Sequence, residues 1–157
     1  MMRRHILTHI FIAATMLMMW ACGGNDVAYC DFIQLPQRGW AYGDTVKFSP
    51  GDLTDSVLTG HMVVALRHTN AYPYSNLWLE VTRPGSDSLH VVRDTVNCAL
   101  ADIYGRWKGQ GFGASYQFTD TLAGHVRLLR GQSVTVRHIM RIDTVTDIEH
   151  LGIMLVP

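Results

Sequence analysis

Asn76-Leu77-Trp78-Leu79-Glu80-Val81-Thr82 runs straight into Arg83-Pro84-Gly85-Ser86-Asp87. Leu77, Leu79 and Val81 fall on one face of an extended chain. Trp78, Glu80 and Thr82 fall on the other. This is the two-residue period of a half-buried strand. The Pro-Gly pair then marks a turn, and residues 88–94 read as the strand behind it, giving a hairpin with a longer loop. Trp78, in strand phase, is read more as core than as contact.

Working outward, the same grammar recurs. Residues 45–48 form a short candidate strand that stops at Ser49-Pro50-Gly51-Asp52, and 58–69 form a longer one. Further candidates are 114–119, 124–129, 133–141 and 149–156, rich in the threonine and valine that strands prefer. In 133–141, Val134, Val136, His138 and Met140 alternate with Thr135, Arg137 and Ile139. The best short-helix rival is 120–130, weakened by Gly124 in its middle. About eight short strands predict an all-β fold, an antiparallel β-sandwich of jelly-roll kind.

The chain has 157 residues, 13 basic and 13 acidic side chains, and no formal net charge. That length suits one domain with one core. The missing basic surplus excludes a nucleic-acid binder. At 48% hydrophobic and 17% charged, the chain is not disordered. The average hides two segments. The first 21 residues hold Arg3, Arg4, no acid and five of the eight methionines. The remaining 136 carry 11 basic and 13 acidic groups, a net charge of about −2.

Met1-Met2-Arg3-Arg4-His5 is a positive leader, and 6–20 is an apolar run. Fifteen helical residues span about 22 Å, short of a hydrocarbon core of roughly 30 Å. Residues 1–21 therefore read as an export signal. Ala21-Cys22 ends it as a bacterial lipobox would, although Met19 and Trp20 are atypical at the positions before Ala21. Cys22 is the expected lipidation site, anchoring the protein to a membrane by acyl chains. The alternative is an ordinary signal with Cys22 as a bystander. Residues 22–28 then form a lipidated tether, and 29–157 the sandwich domain. Asp26 is the only acid after the cysteine within the tether, so an outer-membrane lipoprotein facing the periplasm is favoured over surface display.

Cys30 and Cys98 occupy a chain read as exported, so a disulfide between them is permitted, with two isolated thiols as the alternative. His61, His68, His90, His125, His138 and His150 show no metal-ligand spacing and read as strand residues. Gly109-Gln110-Gly111-Phe112-Gly113 precedes a strand rather than a helix, which excludes a dinucleotide cradle. Its glycines are expected to supply positive φ in an exposed loop. No nucleophile signature or carboxylate pair is visible, so neither an enzyme nor a cofactor is expected.

Two aromatic loops stand out. In His68-Thr69-Asn70-Ala71-Tyr72-Pro73-Tyr74-Ser75-Asn76, proline pre-sets a turn between strands. In Leu100-Ala101-Asp102-Ile103-Tyr104-Gly105-Arg106-Trp107-Lys108-Gly109, Trp107 either packs beneath the loop or faces outward. Tyr72 and Tyr74 are open to the same two readings. Exposed tyrosines and tryptophans anchor partners or sugars at low entropic cost.

The stretch Arg67-His68-Thr69-Asn70-Ala71-Tyr72-Pro73-Tyr74-Ser75-Asn76-Leu77-Trp78-Leu79 resembles the R-x-x-x-x-Y-P-Y-x-N-L-W-L run of the gliding motility lipoprotein GldH family. Asp94-Thr95, Leu100-Ala101-Asp102 and Gly105-Arg106-Trp107-Lys108-Gly109-Gln110-Gly111 are similar to its later run. His138-Ile139-Met140-Arg141 and 148–152 are similar to its last two strands. The resemblance covers nearly the whole chain after Cys22. It implies an outer-membrane lipoprotein of the gliding apparatus, linked to type IX secretion, with envelope proteins as partners. It implies no known reaction and carries no catalytic residues. Partner contact is assigned on physical grounds to Tyr72, Tyr74, Asn76, Arg106, Trp107, Gly109 and Gly111. A lipid-anchored carbohydrate-binding module is the alternative. Coplanar, solvent-facing rings would favour sugar, and buried rings a scaffold. An envelope hydrolase would need converging carboxylates or a histidine–nucleophile pair.

Overall fold

The computed structural model describes residues 27–50, 57–85, 87 and 89–157. The expected signal, Cys22 and most of the tether lie outside the described residues. Eleven strands are present and no α-helix among the described residues: β1 Tyr29–Gln34, β2 Trp40–Ala41, β3 Val46–Phe48, β4 Val57–Thr69, β5 Asn76–Pro84, β6 Val91–Ala99, β7 Gln110–Phe112, β8 Ser115–Leu129, β9 Val134–His138, β10 Thr144–Val145 and β11 Ile148–Val156. They form a five-stranded sheet in the order β1-β11-β4-β8-β7 and a four-stranded sheet in the order β3-β9-β5-β6. A small β10-β2 ladder completes the set, and all pairings are antiparallel. The fold is the expected all-β sandwich.

The alternation quoted at the outset holds. Leu77, Leu79 and Val81 are fully buried in one core with Met62, Val64 and Leu66 of β4, Val134 and Val136 of β9, and Leu151, Ile153 and Leu155 of β11. Burying one such side chain stabilises the fold by about 1.5–3 kcal/mol. Trp78 is a correction, because it is 40% exposed on the outer face. The sealed tryptophan is Trp40, 1% exposed, whose indole N–H donates to the Asp44 carbonyl at 2.9 Å.

Residues 120–129 are strand, not helix, with Arg130 in the turn that follows, and the two strands expected at 114–119 and 124–129 are one. The interruption between them is a double bulge. His61 faces His125, Met62 faces Ala123 and Val63 faces Thr121, leaving Gly124 and Leu122 without partners on β4. Thirteen residues of β4 thereby span fifteen of β8. The strand placed at 88–94 starts later and runs on to Ala99.

Cys30 and Cys98 are not joined. Cys30 is exposed on β1, at the edge of one sheet, and Cys98 is sealed in the core on β6 of the other. Both are free thiols.

Among the described residues, His68 and His138 are the buried polar side chains. His138 lies edge-on to Trp40 (5.3 Å) and Tyr42 (5.7 Å), and neither ring nitrogen has a hydrogen-bond partner. His68 Nδ1 stands 2.9 Å from the Thr69 carbonyl, so Nδ1 carries the proton of a neutral ring, while Nε2 has no partner. Burial holds both below the usual histidine value. The Thr69 carbonyl and the Glu149 charge oppose this at His68, and the backbone of Trp40 and Ala41 opposes it at His138.

Two outcomes follow from this packing. The unfolded chain binds more protons than the folded one as pH falls below about 6.5, so stability declines there and is level above it. Thermal unfolding between pH 7.5 and 5 should show that slope, and His138→Leu should flatten it. Separately, the Phe32 ring of β1 lies over Gly152 of β11, with a ring carbon 2.5 Å from where a Cβ would sit. Gly152→Ala should cost roughly 1–3 kcal/mol in urea unfolding. Gly43→Ala, with open space around it, should be near neutral.

Candidate functional site

β4 ends at Thr69, and the chain turns at once. Tyr72 N–H donates to the Thr69 carbonyl at 3.3 Å, and Ala71 N–H to Thr69 Oγ1 at 3.2 Å. Asn70 N–H reaches the Ala114 carbonyl at 2.7 Å, tying this turn to the β7–β8 hairpin. The turn drops the Tyr72 ring inward, leaving it 3% exposed. Its hydroxyl donates to the Asn76 carbonyl at 2.9 Å, and burial pushes its pKa up. Asn76 in turn donates to the Asn97 side chain of β6 at 2.8 Å.

The second aromatic loop meets the first. Ala101 N–H donates to the Ser75 carbonyl at 2.9 Å. Ala101 also bridges Trp107, and Lys108 N–H donates to the Leu100 carbonyl at 2.8 Å. Inside this hairpin, Asp102 is the organiser. Its carboxylate accepts from the backbone N–H of Tyr104 (2.8 Å) and Arg106 (2.9 Å), and from Arg106 Nε (2.7 Å). Those bonds, led by the Arg106 backbone N–H, hold the carboxyl below its usual range. Gly105 takes a positive φ of 77°, which closes the turn. The tip therefore projects Ile103, 90% exposed, and Tyr104, 76% exposed. The Arg106 guanidinium sits 5.4 Å from the Tyr104 ring centre.

Beneath both loops lies an aromatic cluster around His68. Trp107 approaches its ring edge-on at 4.6 Å, Tyr116 stacks on it at 5.8 Å, and Tyr72 is tilted at 5.8 Å. Tyr74 lies against Tyr72 at 5.7 Å with its planes at 71°, and remains 37% exposed. Trp107 is half-buried. The Trp107 ring is inclined by 46° to Tyr72 and by 45° to Tyr116, so it is coplanar with neither.

Of the residues assigned to partner contact from sequence, all gather at this one end of the sandwich. Their roles differ. Tyr72 and Asn76 brace the loops, Trp107 packs on His68, and Tyr74 and Arg106 reach solvent. Gly109 and Gly111 are not positive-φ residues, contrary to expectation. They are small because of close approach: a Cβ on Gly109 would strike the Gln117 carbonyl, and one on Gly111 the Tyr116 ring. Gly113 is the member of that run with positive φ.

Sequence reasoning missed Ile103, Tyr104 and the central role of His68. Signals for each exist. Asp102 and Gly105 stand at the first and fourth positions of a turn, which places Ile103 and Tyr104 at its tip. The even-numbered alternation of β4 carries His68 to the inner face.

The geometry offers packing and projection. Ser115 Oγ donates to the Glu149 carboxylate at 2.6 Å, not to a histidine. Burial pushes the Cys98 thiol up to about 12, so it stays protonated.

Among solved structures, the chain is similar to a Clostridium thermocellum xylanase 10B fragment, its CBM22-1 and GH10 modules complexed with xylohexaose. The identity is 9%, with 82% of this chain and 24% of that one covered, at a TM-score of 0.36. A nora virus structure is similar at 11% identity, 82% and 54% coverage, and a TM-score of 0.30. The VP2 subviral particle of infectious bursal disease virus follows at 11%, 82% and 33%, and 0.25. This chain thus spans between about a quarter and about half of the chains it overlays. A comparison with curated proteins returns no match. The GldH lipoprotein profile matches residues 27–155, from the first described residue through β11. With nearly the whole described domain inside that match, the chain belongs to the GldH lipoprotein family, lipoproteins associated with gliding motility.

Proposed function

We propose that this protein is a non-enzymatic scaffold component of the Bacteroidetes gliding and type IX secretion-linked envelope machinery, anchored in the outer membrane by lipid on Cys22 and facing the periplasm. Residues 1–21 are the export signal, 22–28 the tether and 29–157 the sandwich. The observation that carries the reading is the braced loop end, which directs Tyr74, Ile103 and Tyr104 outward from a closed aromatic floor. Large apolar side chains held at a fixed tip cost little entropy when a partner covers them.

The position of the tether supports it. Ala28 N–H donates to the Leu155 carbonyl, and Leu155 faces Met62 of β4. β1 then runs toward Gln34, level with His150 and Arg67 near the loop end. Five residues of strand separate those levels, about 17 Å. The six residues from Cys22 to Val27 reach at most about 20 Å. Lipid on Cys22 holds the domain close to the bilayer, and the chain enters the sandwich at the end of β1 opposite the loops. The partner met there is a protein of the envelope.

The carbohydrate-binding alternative needs coplanar exposed rings. Tyr72 is buried and the neighbouring rings are inclined, which favours the scaffold.

Cys22→Ala should move the protein out of the membrane fraction, and a variant that stays there counts against the anchor. The combined variant Tyr74→Ser, Ile103→Ser and Tyr104→Ser should keep its thermal midpoint within a few degrees. It should lose most of the neighbours that crosslinking captures from intact envelopes. An unchanged crosslinking pattern would remove the loop end from the interface.

A further inference from the structure

β7 follows the edge of β8 only along Gln110–Phe112, opposite Ser115–Gln117. Gly109 still lies against the Gln117 carbonyl and the Phe118 amide, and past it, at Lys108, the chain is drawn away by the Ala101–Trp107 bridge and by the bond from Lys108 N–H to Leu100. From Thr119 on, β8 keeps one backbone edge with no strand partner among the described residues. A groove of about 810 Å³ opens at this fork, with Phe118 and Thr119 in its wall.

The charge of the groove has one sign. Its ionisable lining residues of fixed charge are Arg67 and Lys108, both exposed, and no carboxylate lines it. Neither cation forms an ion pair among the described residues. Arg67 reaches only Gln117 Oε1, at 3.4 Å, a weak contact. Two acids stand close outside the lining: Asp102 is engaged by Arg106 and feels Lys108 only as a nearby charge, and Glu149 accepts from the hydroxyl of Ser115.

An open strand edge pairs with extended chain through backbone hydrogen bonds, and side-chain chemistry then selects the occupant. We propose that the groove takes a short acidic peptide segment of a partner protein, added as a strand along the edge that opens at Thr119, with its carboxylates on Arg67 and Lys108. The bulge at Leu122 interrupts the edge a few residues on, which limits the added strand to about four residues. Selection rests on the two cations, so binding weakens with salt. This deepens the scaffold reading above by naming the chemistry of its partner.

The test uses the full-length lipoprotein in detergent micelles and a labelled, acetylated peptide of alternating glutamate and threonine, followed by fluorescence anisotropy. The acidic peptide should bind, and its lysine-for-glutamate counterpart should not. The double variant Arg67→Glu, Lys108→Glu should weaken binding at least tenfold. Methylating alternate backbone amides of the peptide should weaken it similarly in one of the two phases. Failure to bind, equal binding of the lysine peptide, or indifference to both changes would overturn the proposal. So would polygalacturonate occupying the site in place of peptide. The scaffold reading fails separately, because it is read from crosslinked neighbours of the Tyr74, Ile103 and Tyr104 variant, none of which lines this groove.

Discussion

Everything in this domain hangs on β4. Its thirteen residues are paired on both sides, with β8 along their whole length and with β11 from His61 to His68. A strand held on both edges cannot slip, because a one-residue shift would turn its apolar face to water. Leu58, Met62, Val64, Leu66 and His68 therefore point inward together. The last of these is polar, and it stands directly under the loop end. Burying an imidazole there has a cost, which the Thr69 carbonyl and the surrounding rings only partly offset.

That cost has a structural return. Trp107, Tyr116 and Tyr72 come from three separate segments and meet on one small ring. The loops above are then braced by backbone bonds rather than by side chains reaching out to solvent. Asp102 completes the arrangement from within its own turn. The outcome is a firm platform whose outward groups, Tyr74, Ile103 and Tyr104 beside Arg106, are few and mostly apolar, next to a groove lined by Arg67 and Lys108. A partner that fits both must present something greasy and something acidic.

Much of this was legible before any coordinates. The alternation at 77, 79 and 81 set both the strand and its inner face, and the family resemblance rested on the same loops that the fold gathers at one end. What escaped has physical causes. Strands of two or three residues, such as β2, β7 and β10, carry too few positions to show a period. The bulges in β8 looked like a break because a glycine in a strand and a glycine in a turn are the same letter. Trp78 reads as core for standing in strand phase, although its parity, shared with Glu80 and Thr82, puts it on the outer face. The glycines at 109 and 111 were assigned to backbone conformation when the constraint is the closeness of Gln117 and Tyr116. That difference depends on which chain lies opposite, and sequence order does not contain it.

The register of β1 against β11 has a mechanical side. The chain comes in at Tyr29, and the strand runs from there toward the loop end, paired residue for residue from Tyr29–Leu155 to Gln34–His150. A pull between the start of β1 and the loops acts along the strand axis. It loads all of those pairs in shear at once, instead of peeling them open one after another. A load between those two points is shared by many hydrogen bonds in parallel, and the domain resists force best along that line.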